Sequence, residues 1–153
     1  MALRQTYLSL KNKLPEGAEH VLVIRGRGND ELAPSAELLA KINRLKAEYR
    51  GPEDGFASAS DFAWSKSEYT ARFRKQILSN PKSLARLAEI SARAKDHDIF
   101  LICYEAYDKP CHRHLLLDIA EHEFGAPVDY TPFLPPGALK ASQEDKRHQP
   151  ALF

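Results

Sequence analysis

Short apolar runs alternate with longer amphipathic stretches along this chain. Two of the runs, His20–Arg25 and Ile99–Tyr104, contain at least four consecutive apolar residues. Such runs are typical of strands that are buried on both faces of a sheet. Looser patterns make Leu3–Leu10 a candidate first strand and Pro127–Tyr130 a candidate last strand.

Apolar residues between the strands recur at the spacing of α-helices, which predicts four helices. Their apolar faces are Leu38, Ile42, Leu45 and Tyr49 after Pro34 and Ser35; Tyr69, Phe73 and Ile77 after a capping box of Ser65 and Glu68; Leu84, Leu87, Ala88 and Ser91 after Asn80 and Pro81; and Leu116, Leu117, Ala120 and Phe124 within a helix over 111–124. Residues 51–62, between the first two helices, are predicted to form a loop.

The alternation of strands and helices predicts an α/β fold, because strands joined through helices usually pair in parallel. We therefore expect a single-domain layered sandwich with a small, mostly parallel sheet flanked by helices. The domain is predicted to cover residues 1–130, since the text from residue 131 to 153 is rich in proline and polar residues. That segment is typical of a tail or linker.

Composition excludes several classes of protein. The chain has 153 residues with 22 Lys and Arg against 21 Asp and Glu, so its net charge of +1 gives no sign of strong, non-specific nucleic-acid binding. A local basic patch remains open. No apolar run approaches the roughly 20 residues of a membrane-spanning helix. The two cysteines and the lack of a secretory pattern at the N-terminus predict a cytoplasmic protein without a disulfide framework.

Chemically active side chains are densest between residues 103 and 113, where the second buried strand ends and the last helix begins. A cysteine at a helix N-terminus has a lowered pKa, because the helix dipole and the unpaired N–H groups stabilise its thiolate. Cys111 is therefore predicted to be a nucleophile, with His112 or Glu105 exchanging protons. The alternative is that Cys111 is a small buried residue at the strand–helix junction.

Three arginines are predicted to bind the substrate of such an enzyme. Arg113 follows the cysteine directly, and Arg25 and Arg27 follow the other buried strand. The carboxyl ends of parallel strands meet at one edge of a sheet, which is where ligands gather in α/β folds. Guanidinium groups there would hold a phosphate or a carboxylate, so the predicted substrate is a small anion such as a nucleotide or a sugar phosphate.

A metal site is the competing interpretation of the same segment. Cys103, Glu105, Cys111 and His112 offer the ligand types that zinc and iron prefer. Seven residues separate the two cysteines, however, whereas compact zinc hairpins have about two to four. The sequence names no cofactor.

The segment LICYE…CHRHLLL resembles the CxE…CHRxxL motif of the DUF488 family, a family of domains of unknown function. The similarity covers most of residues 3–130, through YLSLKNKLP, VLVIRG, LAPS and the helix with Tyr69, Arg72 and Phe73. The resemblance implies a compact α/β fold in which Cys103, Glu105, Cys111, His112 and Arg113 are grouped near one site. It implies no particular reaction.

The last residues suggest a different class of function. Gln149, Leu152 and Phe153 match the Q-x-x-L-F form of the short peptides by which replication and repair proteins bind a DNA sliding clamp. A tail of this kind presents two apolar anchors to a groove on the partner. On this interpretation the domain is a non-catalytic module that binds an anion or nucleic acid and is recruited to the clamp. Packing of the tail on its own domain is the alternative.

We predict that a peptide ending in QPALF binds a purified sliding clamp with micromolar affinity. The same peptide with Leu152→Ala and Phe153→Ala should not bind, because both anchors are lost. Fluorescence polarisation of a labelled peptide measures this directly. Absence of binding at high micromolar clamp concentration would remove the clamp as a partner.

Overall fold

The computed structural model describes residues 1–135, which form a mixed α/β fold around one small parallel sheet. The predicted fold class is confirmed. The sheet has the order β1-β3-β2. The strands are β1 (Leu3–Tyr7), β2 (Glu19–Leu22) and β3 (Ile99–Cys103), and the α-helices are α1 (Ala36–Glu48), α2 (Ala59–Lys66), α3 (Tyr69–Leu78), α4 (Pro81–Arg93) and α5 (His112–Phe124).

β3 is the centre of the sheet and every one of its residues is buried. Its neighbours pair with it in parallel on both sides, with Leu3 and Glu19 both opposite Ile99. Alternate residues of a strand face opposite sides of the sheet. Ile99, Leu101 and Cys103 therefore join the main apolar cluster, to which the helices contribute their buried side chains.

The other face of the sheet carries a smaller apolar cluster, which contains no residue of the five α-helices. Phe100 and Ile102 of β3 pack there against Leu10, which lies in a 3₁₀ helix over Leu8–Lys13, and against Phe133. The rings of Phe100 and Phe133 meet edge to face with centroids 5.2 Å apart. Phe133 lies beyond residue 130, where the domain is predicted to end, so the segment 131–135 completes this cluster.

Three details of the predicted elements are wrong. Ser65 lies inside α2 and does not cap α3, which begins after Glu68 in the left-handed region with φ of 55°. The cap belongs to Ser58, whose hydroxyl accepts a hydrogen bond from the Asp61 N–H at 3.1 Å, so a helix starts within the predicted loop 51–62. On α4, the fully buried positions are Ser83, Leu87, Ile90 and Ser91, while Leu84 and Ala88 are half-buried.

The outer segments also differ in extent from the sequence patterns. β1 covers only the first half of Leu3–Leu10, because the chain then turns into the 3₁₀ helix. Pro127–Tyr130 contributes one parallel bridge, between Val128 and Leu3, and no full strand. Within residues 1–135 no helix combines the length and the apolar character needed to cross a membrane.

The carboxyl ends of the three strands lie at one edge of the sheet, as parallel pairing requires. Beyond β2, the N–H of Val23 continues the pairing by donating to the Ile102 carbonyl at 2.9 Å. The chain then turns at Gly26, whose φ of 87° favours glycine. This edge also carries the loop between β3 and α5, which brings the predicted site to it.

We predict that Phe133→Ala lowers the free energy of unfolding by about 3 kcal/mol, because the substitution leaves a cavity against Phe100. Urea denaturation of the full chain measures this change. Leu134→Ala is the matched control, since its side chain belongs to neither apolar cluster, and it should cost less than about 1 kcal/mol. Equal effects of the two substitutions would show that the segment does not close the core.

Candidate functional site

Four side chains converge where β3 passes into α5. Cys103 is the last residue of β3, Cys111 is the N-cap of α5 and His112 is its first residue. Glu105 comes from the connecting loop. We call these four residues the thiol centre. The sequence predicted the grouping because all four belong to one strand–loop–helix segment, and the structure brings them together.

The functional atoms of the thiol centre lie within hydrogen-bonding distance of one another. The Cys103 and Cys111 sulfurs lie near the same carboxylate oxygen of Glu105, with Sγ–Oε2 distances of 3.0 and 3.6 Å, and each can donate to it while protonated. Nδ1 of His112 lies 3.5 Å from Cys111 Sγ and 4.0 Å from Cys103 Sγ. The two sulfurs and the ring nitrogen all lie within 4.8 Å of each other.

The imidazole of His112 is held in one orientation. Its Nε2–H donates to the Val23 carbonyl at 2.6 Å, since a carbonyl can only accept. The ring also meets Phe73 of α3 edge to face at 5.3 Å. Because Nε2 carries this hydrogen bond, Nδ1 is the atom that faces the sulfurs. Nδ1 of neutral His112 is then free to accept a proton or to bind a metal.

The site favours one thiolate over two. Burial opposes ionisation of Cys111, but the hydrogen bond from Cys103 and the charges of His112 and Arg113 lower its pKa well below the usual range. The pKa of Cys103 is raised, first by its hydrogen bond to Cys111 and then by burial. Burial opposes protonation of His112, yet the neighbouring Cys111 thiolate raises its pKa. Both shifts act in the same sense, since the surroundings favour the thiolate form of Cys111 and the protonated form of His112.

Arg113 lies behind the thiol centre and is fully buried. Its Nη1 donates to the Thr6 carbonyl at 2.7 Å, while Nε and Nη2 have no hydrogen-bond partner among residues 1–135. A buried cation needs a nearby negative charge. The thiolate form of Cys111 would supply this negative charge, which is why Arg113 lowers the pKa of Cys111. Arg113 does not line the pocket described next, so its predicted role in binding substrate stays a prediction.

A pocket of about 240 Å³ opens onto the thiol centre. Arg25 lines it, although the Arg25 guanidinium also donates to the Pro34 carbonyl at 2.8 Å and approaches Asp30 at 3.4 Å. Arg27 is exposed outside the pocket, where it donates to the Tyr104 hydroxyl at 3.2 Å. Of the three arginines, Arg25 alone lines the pocket.

The wall of the pocket that α1 provides was not predicted from the sequence. Leu39, Ile42, Asn43 and Lys46 line the pocket, and their spacing of three and four residues places them on one helical face. The apolar periodicity of α1 predicted a face that shares only Ile42 with the pocket lining. Tyr69 was predicted as a core residue of α3 and is buried, yet it also lines the pocket.

Comparison with known proteins identifies a family. A family model described as the active DUF488-N3 subclade, DUF488-N3a, matches residues 27–123, which include the whole CxE…CHR segment. This match confirms the family resemblance. Neither the curated proteins nor the solved structures gave a significant match. Gln149, Leu152 and Phe153 lie outside the described residues, so clamp binding stays a prediction.

We predict that Cys111 of metal-free protein is alkylated with a pH midpoint below the roughly 8.5 of free cysteine. The sign follows from the lowered pKa, which keeps the thiolate present at lower pH. Cys103, whose pKa is raised, should show a midpoint above that value. Peptide mass spectrometry after iodoacetamide pulses reports both residues in one sample.

His112→Gln tests the cause of this difference. Loss of the imidazolium charge should move the Cys111 midpoint upward, toward that of free cysteine. If both cysteines titrate alike in the unmodified chain, the assignment of one thiolate and one thiol is wrong.

Proposed function

The chain belongs to the DUF488 family, and we propose that it is a metal-dependent enzyme whose thiol centre holds one divalent transition-metal ion. Such an ion polarises an oxygen atom of a substrate or lowers the pKa of a bound water molecule. The proposed ligand atoms are the sulfurs of Cys103 and Cys111, Nδ1 of His112 and Oε2 of Glu105.

One observation carries this proposal, namely the spacing of three ligand atoms, the two sulfurs and Nδ1 of His112, which all lie within 4.8 Å of one another. A tetrahedral zinc ion with sulfur and nitrogen ligands holds neighbouring ligand atoms about 3.5–3.8 Å apart. Nδ1 of His112 lies 3.5 and 4.0 Å from the two sulfurs, and Cys111 Sγ lies 3.6 Å from Oε2 of Glu105. The 3.0 Å contact between Cys103 and Glu105 is a thiol hydrogen bond, which coordination would replace.

The charges around the thiol centre support the same proposal. Coordination would leave two thiolates and one carboxylate in a buried site, with a total charge of minus three. A divalent ion and the unpaired guanidinium of Arg113 together balance that charge. The hydrogen bond from His112 to the Val23 carbonyl is also the type of contact that orients histidine ligands in metal sites.

The pocket supports a catalytic role over a purely structural one. Structural zinc sites are closed by four protein ligands, whereas catalytic sites keep a position open for water or substrate. The thiol centre forms part of the pocket lining, and Glu105, on a loop, is the ligand best placed to exchange with an incoming group. The description of the matching family model as an active subclade agrees with an enzyme.

A second candidate function uses the same atoms without a metal. Cys111, His112 and the Val23 carbonyl form a chain of nucleophile, base and orienting group. The lowered pKa of Cys111 favours this arrangement. Here Cys111 would attack a small anionic substrate and His112 would transfer protons, with Arg25 holding the anion. The two candidates exclude one another in any one molecule, because a coordinated sulfur is a weak nucleophile.

We predict about one equivalent of zinc or iron per chain in protein purified without chelators or metal affinity resin. Cys103→Ser, Cys111→Ser and His112→Gln should each lower the metal content severalfold, because each removes a ligand. Inductively coupled plasma mass spectrometry measures the metal content of each variant. His122→Gln is the matched control, since His122 is an exposed residue at the far end of α5.

Circular dichroism of each variant separates loss of metal from loss of fold. Less than about a tenth of an equivalent of every transition metal in the folded chain would overturn the metal proposal. Rapid alkylation of Cys111 in that same sample would then favour the thiolate enzyme.

A further inference from the structure

The pocket above the thiol centre has an apolar side and a basic mouth. One side is apolar and is formed by Leu39 and Ile42 of α1 and by Trp64 of α2. The indole of Trp64 stacks on the Tyr69 ring, with centroids 4.1 Å apart and planes 17° apart. A flat apolar wall of this kind favours a ligand with a planar apolar body.

The mouth of the pocket carries two basic side chains, of which Arg25 also approaches Asp30 at 3.4 Å. Arg25 and Lys46 line it, and Glu105 is the sole acidic residue in the lining. Glu105 lies against the two cysteine sulfurs, and Lys46 forms no ion pair within the described part of the chain. Because the cysteines are buried while Arg25 is about one-third exposed, the cations lie at the mouth and the thiol centre at the floor. An acidic group of a ligand would therefore remain near the mouth.

The floor offers a hydrogen-bond donor that no described residue uses. Tyr69 is 5% exposed and lines the pocket, and its hydroxyl has no hydrogen-bond partner in residues 1–135. The hydroxyl oxygen is not among the fully buried polar atoms, so it is accessible from the pocket and a ligand atom can accept its hydrogen bond. The charges that act on the Tyr69 hydroxyl are those of Cys111, Cys103 and Glu105, so this polar contact lies on the side of the thiol centre.

The size of the pocket limits the ligand. Its volume of about 240 Å³ is below the roughly 300–1,000 Å³ of pockets that take drug-sized ligands. A single ring with two small substituents is the appropriate size, whereas an enclosed dinucleotide is too large. Of the small anions that the sequence predicted as substrates, the volume of the pocket favours the smaller ones.

We propose that the pocket binds a small planar organic acid with a second polar group opposite its carboxylate. The carboxylate contacts Arg25 and Lys46, the ring lies along Trp64, and the second polar group reaches the Tyr69 hydroxyl and the thiol centre. This inference rests on the proposed function in one respect only, namely that a metal ion in the thiol centre would be the neighbour of that second polar group. Tyr69 and Lys46 would then determine which ligands are accepted.

The experiment uses 4-hydroxybenzoate as the probe, with benzoate, benzamide and inorganic phosphate for comparison. Trp64 is the only tryptophan in the chain, so its fluorescence in the full-length protein reports binding directly. We expect saturable binding of 4-hydroxybenzoate, weaker binding of benzoate and at least about tenfold weaker binding of benzamide, which lacks the charge. Phosphate should not compete at the concentration that saturates the aromatic acid.

Substitutions of the lining residues test which side chains contact the acid. Lys46→Gln should weaken binding of both acids about fivefold or more, because it removes a charge-assisted contact. Lys41→Gln is the matched control, since Lys41 is also on α1 but lines a separate groove with Arg72 and Lys75. Tyr69→Phe should remove the advantage of 4-hydroxybenzoate over benzoate while leaving benzoate binding unchanged.

Several outcomes overturn the proposal. They are the absence of saturation by 4-hydroxybenzoate up to about 10 mM, equal binding of benzamide, binding of phosphate alone, or no effect of Lys46→Gln. Metal content is measured on the same samples, which separates this inference from the proposed function. Metal without binding of the acid rejects the inference alone, whereas binding of the acid by metal-free protein supports the inference and counts against the metal centre.

Discussion

Hydrogen bonding of β3 on both of its edges is the constraint on which the rest of this structure depends. A central strand with both edges paired and both faces covered has only its ends free for chemistry. Parallel pairing places the carboxyl ends of all three strands together, so Cys103 and Val23 meet at one edge. The following helix then returns Cys111 and His112 to the same place. The thiol centre is thus a consequence of topology as well as of local sequence.

The thiol centre is also the place where this core departs from apolar packing. Cys111, His112 and Arg113 are ionisable groups with almost no exposure to solvent, and their surroundings favour the charged forms of Cys111 and His112. Buried charges are costly unless they compensate one another, and their arrangement is rarely optimal for stability alone. Two polar atoms of Arg113 without a partner show that the compensation is incomplete. That remaining imbalance favours a further negative charge beside Arg113, which ionisation of the second thiol would supply.

Sequence patterns predicted the elements that depend on local rules and missed those that depend on distant contacts. The buried strand β3 and the start of α5 lie close together in sequence, so their chemistry was visible as one segment. Ser58 and Ser65 each have an acidic residue three positions later, and packing against the core selects the first as the cap. Phe133 appeared to belong to a polar tail, because nothing local indicates that it packs on Phe100 across the chain.

The loop that carries Glu105 is held by these distant contacts. Tyr107 shares a hydrogen bond of 2.9 Å with the Thr6 hydroxyl, and it forms two more of 3.0 Å with the backbone of Phe133. Two distant parts of the chain, β1 and the segment 131–135, therefore fix one phenol two residues after Glu105. Positioning a ligand or a catalytic carboxylate within a fraction of an ångström requires such support from surrounding residues. The segment 131–135 is thus part of the scaffold of the site, since it fixes the loop that closes the thiol centre.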